Sequence, residues 1–92
     1  MADPTFLHIS FNFQGKEPND RLINAVKGAL DWYRYSPNCW VIWTRRTPGE
    51  WNTILRKYIE ADMYYFVCEL YIENRQGWMP RGFWDWLKEE RD

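Results

Sequence analysis

The chain has 92 residues, 46% of them hydrophobic, with twelve basic and thirteen acidic side chains giving a net charge of −1. That length supports one core burying roughly 60–65% of the unfolded surface, not several domains. The near-neutral balance provides no overall field toward nucleic acid or an anionic membrane. No apolar run approaches the ~20 residues of a membrane span.

The aromatic share is 20%, with seven Trp, six Tyr and five Phe. Each such ring buries on the order of 150–250 Å², more in total than one small core readily hides. Some rings are therefore expected to line a surface that a partner covers. Cys39 and Cys68 lie in apolar strand-like runs and read as free buried thiols. Two thiols and one histidine cannot complete a four-ligand zinc site. The opening Met-Ala-Asp-Pro-Thr lacks a basic segment leading into an apolar one, so a cytoplasmic protein is expected.

In chain order, Phe6 to Phe13 alternates, with Leu7, Ile9, Phe11 and Phe13 on one face and His8, Ser10 and Asn12 on the other. That is the period of a half-buried strand. The polar run Gln14 to Pro18 ends it. Asn19 or Asp20 caps a helix carrying Leu22, Ile23, Val26 and Leu30 at helical spacing. Trp32 to Tyr35 and Cys39 to Thr44 read as two short strands about a turn at Ser36-Pro37-Asn38, or as one strand strongly kinked there. Thr47, Pro48 and Glu50 make a capping box that opens a helix to about Glu60, with Trp51, Ile54, Leu55, Tyr58 and Ile59 on one stripe.

Met63 to Ile72 is the last expected strand. Its run places Tyr64, Phe66 and Cys68 toward the helices and Tyr65, Val67 and Tyr71 on the bare face. A Trp-rich tail over 73–92 holds a short helix. The fold class is therefore α+β: a ferredoxin-like βαββαβ unit with an antiparallel sheet, two helices on one face and a core over about residues 6–72 of a single 1–92 domain.

The bare face needs a cover, and three are open: the tail itself, a second copy of the chain, or single-stranded nucleic acid stacked on the rings. His8 and Ser10 lack the turn-borne nucleophile and orienting group of acyl transfer. Asp31 and Asp62 sit at element ends, where caps and turns place carboxylates. Arg34, Arg45, Arg46, Arg56 and Lys57 are expected near one edge, where they could meet phosphates.

In this order of elements the chain resembles the small CRISPR adaptation nuclease-like ("Cas-two-like") proteins, with their SinR-like and virulence-associated protein D relatives. The resemblance rests on Leu7-His8-Ile9-Ser10-Phe11-Asn12, on Asn38-Cys39-Trp40-Val41 before a Thr-x-x-Glu helix start, on Asp62 before the last apolar strand, and on Phe83-Trp84-Asp85-Trp86-Leu87. It implies a homodimer whose sheets meet face to face. It also implies a metal-binding Asp at the end of the first strand in nuclease members; here that position is Asn12, and an amide binds Mg²⁺ poorly. Asn38 stands where relatives tend to carry Ser.

The function expected is that of a non-catalytic interaction protein, a dimer that docks on protein, or on nucleic acid, in phage defence, CRISPR regulation or a toxin–antitoxin pair. Tyr65, Tyr71, Trp84, Trp86, Arg45 and Arg46 are its candidate binding residues, with no catalytic residue, metal or cofactor assigned. The alternatives are a Mg²⁺-dependent ribonuclease or deoxyribonuclease of the family type and a small phage-encoded inhibitor acting through its tail.

Overall fold

The computed structural model describes residues 3–91; Met1 and Ala2, which open the segment read as lacking a leader, lie outside the described residues, as does Asp92. The elements are β1 (Thr5–Asn12), α1 (Asp20–Val26), β2 (Asp31–Ser36), β3 (Cys39–Thr44), α2 (Pro48–Leu55), β4 (Tyr64–Glu69) and α3 (Arg81–Lys88). The four strands form one antiparallel sheet in the order β2-β3-β1-β4, so β2 and β4 are its edges.

Local chemistry fixes the helix starts. The Asn19 side chain accepts from the Leu22 N–H at 2.7 Å. At α2 the expected capping box is formed, each of its two bonds at 3.1 Å. Both helices stop earlier than the periodicity predicts. The Leu30 N–H donates to the Trp43 carbonyl at 2.9 Å, so the chain must leave α1 in time to enter the β2–β3 ladder. After Leu55 the N–H groups of Lys57 and Tyr58 reach back only three residues, tightening the last turn. Ile54, Tyr58 and Ile59 still pack on the core, so the expected stripe survives the shorter helix.

The sheet carries two cores, one per face. Under α1 and α2 lie Leu7, Ile9, Phe11, Leu22, Trp40, Ile42, Trp51 and Leu55. Within it the Trp51 indole N–H donates to Thr44 Oγ1 at 3.0 Å, while the Trp40 indole N–H is buried with no acceptor among the described residues. On the opposite face α3 presses Phe83, Trp86 and Leu87 onto Phe6 and Val41, with Tyr33, Tyr35 and Trp43 alongside. The molecule is thus three layers, two helices, sheet, one helix. The β2 edge is irregular: its register against β3 shifts between Arg34 and Ser36, and Arg34 donates to the Pro37 carbonyl at 2.6 and 3.1 Å. Among the described residues no helix is long and apolar enough to cross a membrane.

Candidate functional site

Arg91 fastens the tail. Its guanidinium donates to Asp31 Oδ2 at 3.1 and 3.3 Å, to the Trp86 carbonyl at 2.7 Å and to the Glu89 carbonyl at 2.9 Å. It also stacks over Trp86, 4.6 Å from the ring centre, and over Phe6 at 5.2 Å. A planar cation with five donors suits such a corner, where a lysine would serve only one direction. Trp86, expected as a binding residue, is therefore part of the protein's own cover. Trp84 is half-buried and lines the cleft beside that cover.

The cover is partial. It leaves bare the end of the sheet that holds Ser10 and Asn12 of β1, Asn38, and Tyr64 and Phe66 of β4. Tyr64 is 67% and Phe66 62% exposed. This reverses the expected facing of β4. Val67 pairs with Ile9 and Tyr65 with Phe11, so both share the helix face; Phe66 pairs with Ser10 and Tyr64 with Asn12, so both share the other. Tyr64-Tyr65-Phe66-Val67 is apolar at every position, and alternation alone cannot choose a face for such a run; the pairing register does. Tyr65 accordingly packs on the helix-side core, and its hydroxyl hydrogen-bonds Asn52 of α2. Burial pushes that hydroxyl's pKa up, with Arg56 opposing it. Tyr71 lies beyond the strand, which ends at Glu69; it is exposed, and its hydroxyl donates to Glu73 Oε2 at 3.3 Å.

The basic residues are dispersed. Arg45 and Arg46 follow β3 at Thr44, which pairs with Thr5, so they stand at the end of the sheet opposite Asn12 and Tyr64. The Arg46 guanidinium lies 5.5 Å from the centre of the Trp51 ring. Arg34 is on the β2 edge, whereas Arg56 borders a hollow with Tyr64 and Tyr65 near the β4 edge. The single basic edge anticipated from the sequence is not formed: Arg34 and Arg56 stand at opposite rims of the sheet, and Arg45 and Arg46 at one end of it.

The amides at the end of β1 serve the backbone. Asn12 Oδ1 accepts from the Gln14 N–H at 2.9 Å, closing a turn in which Gln14 (φ 55°) and Gly15 (φ 75°) are left-handed. Asn38 donates through Nδ2 to the Phe11 carbonyl at 3.0 Å, and its own carbonyl accepts from the Phe11 N–H at 2.8 Å. Asp62 pairs with Lys16 at 2.9 Å; this exposed contact lowers the carboxyl pKa and raises that of the amine. Among the described residues no three His, Cys, Asp or Glu side chains converge as a metal site would need.

His8 is held on the tail-covered face. Its Nε2 shares a 2.5 Å hydrogen bond with the Tyr35 hydroxyl. Burial lowers the imidazole pKa below the ordinary 6.5. Burial, then the Cys39 thiol, push Tyr35 up to about 12. Both groups are thus neutral near pH 7, as a half-buried pair should be. Cys39 and Cys68 are free thiols, half-buried instead of fully enclosed, opposite Ser10 and His8 on the strands flanking β1.

No family model matches the chain, and no curated protein or solved structure matches it either. The geometry therefore speaks alone. It brings together Tyr64 and Phe66, which the sequence reading had turned inward. Arg91 and Trp78 were also not singled out: an arginine near a chain end and a tryptophan in a polar loop carry no periodicity by which to find them.

Proposed function

We propose that this chain is a non-catalytic interaction protein that works as a homodimer, its two copies meeting at the β4 edge over Tyr64 and Phe66. The observation that carries the reading is the pair of exposed rings on an edge strand, side by side with the polar row Ser10, Asn12 and Asn38. An uncovered apolar edge strand is a template for a second strand. At about 200 Å² per aromatic side chain, the two rings expose roughly 260 Å². A stable interface takes about 800 Å² per partner, so the neighbouring row and the free edge of the β4 backbone join the contact.

The core supports a ferredoxin-like reading: α1 connects β1 to β2, α2 connects β3 to β4, and both helices lie on one face. With it comes the likeness to CRISPR adaptation nuclease-like proteins and a role in phage defence, CRISPR regulation or a toxin–antitoxin pair, in the cytoplasm, with protein as the preferred target and nucleic acid the alternative. Hydrolysis is disfavoured because Asn12 is uncharged and its oxygen is engaged in the turn. A tail-borne inhibitor is disfavoured because Phe83, Trp86 and Leu87 are spent on the tail's own sheet.

Light scattering on the purified chain tests the reading. A dimer that becomes monomeric on Phe66→Ser supports it, since that side chain faces solvent and its loss leaves the core intact. A strict monomer at high protein concentration, or a dimer indifferent to both Phe66→Ser and Tyr64→Ser, overturns it.

A further inference from the structure

A second concavity, of about 390 Å³, lies away from the Tyr64–Phe66 patch, where the chain leaves β4 and loops under α3. Its floor is the neutral His8–Tyr35 pair, and one wall is the Phe83 and Trp84 rings of α3. At its rim stand two rings that the fold does nothing to cover: Trp78 is 100% exposed and Tyr71 76%. Volume and lining fall in the range of small-molecule sites, which are mostly apolar with a few convergent polar groups.

Among the residues that line this cleft, the one full charge is that of Arg75. Among the described residues the one hydrogen bond of its guanidinium is Nη1 donating to the Ile72 carbonyl at 3.0 Å. It takes part in none of the ion pairs among the described residues, and the nearby Glu73 carboxylate accepts from Tyr71 instead. A guanidinium with donors to spare at the mouth of a ring-lined cleft matches a planar apolar body ending in a carboxylate, which arginine binds through two parallel N–H donors. The body would slide between Trp78 and Trp84, where aromatic faces gain from offset or edge contact. The neutral floor offers no charge to compete with Arg75 for the acid.

We propose that the cleft between the exit of β4, the 73–79 loop and α3 binds a small aromatic carboxylate through Arg75, Trp78 and Trp84. The reading is independent of the dimer, whose rings lie at the other end of the sheet face.

Titration of the full chain with 2-naphthoate and, separately, with its uncharged amide 2-naphthamide tests it, by calorimetry. Naphthoate should bind, with the amide at least about tenfold weaker for want of the charge-assisted bond. Arg75→Ala should remove the preference for the acid, and Trp78→Ala should weaken both ligands. Each residue is exposed, so both variants should fold, and circular dichroism checks that they do. Equal binding of acid and amide, a preference that survives Arg75→Ala, or no binding of naphthoate at millimolar concentration overturns the proposal.

Discussion

Replacing Arg91 by alanine tests whether the tail is part of the fold or a detachable arm. The side chain is 9% exposed and its partner Asp31 38%. Removing one member of a fully buried pair costs about 3–5 kcal/mol, and an exposed pair is worth about 0–1. Asp31 can rehydrate once its partner is gone, and solvent already screens it, which places the ion-pair loss toward the lower range. The substitution also strips the donor from the Trp86 carbonyl and the cation from the faces of Trp86 and Phe6, the latter worth about 0.5–1 kcal/mol at such sites. These contributions overlap, and a total of about 2–3 kcal/mol is expected. In a domain of this size that lowers Tm by roughly 10–20 °C. Urea unfolding followed by tryptophan fluorescence should show an earlier midpoint at unchanged slope. Arg91→Lys should recover part of the loss, because a point charge keeps the pairing with Asp31 but not the fork. A loss under about 0.5 kcal/mol would refute the reasoning, since a tail worth fastening cannot be indifferent to its fastener.

Other outcomes follow from single contacts. Thr44→Val should cost about 2 kcal/mol in the same urea assay, because it leaves the buried Trp51 indole N–H and the Arg46 backbone N–H without their shared acceptor. Asn12→Ala should cost about 1 kcal/mol by opening the left-handed turn after β1. For His8, burial holds the folded pKa below 6.5, so in that window the unfolded chain binds the extra proton. Stability should be full above pH 6.5 and fall as the solution is acidified below it, levelling once the folded imidazole also protonates; His8→Gln should flatten that slope in urea titrations from about pH 8 to about pH 5. Phe66→Ser should leave the unfolding midpoint of the monomer nearly unchanged while weakening self-association, read by light scattering across a dilution series.

Much of the architecture is legible in the residues. Thr47, Pro48 and Glu50 announce α2 because a capping box is local chemistry, complete within four positions. The alternation of β1 is equally plain, since its two faces differ sharply in polarity. β4 failed for the opposite reason. Tyr64 and Tyr65 look alike to any periodicity, and which one meets the core is decided by pairing to residues more than fifty positions earlier. The same distance hides the Arg91–Asp31 contact, sixty positions apart. The arginines misled because their proximity in sequence, at 45, 46 and 56, says nothing of which end or rim of the sheet they reach. What the sequence alone displayed well was the aromatic excess; what it could not display was how far a helix made from the last residues would absorb it.

The irregular edge at β2 has a consequence for assembly. Sheets with two regular, bare edges can add copies at both sides and grow into filaments. Here the register slip after Arg34, with Pro37 just beyond it, spoils one rim for strand addition. If the proposed pairing at β4 holds, a molecule able to offer only that rim would join one neighbour and then be used up, so assembly would stop at two.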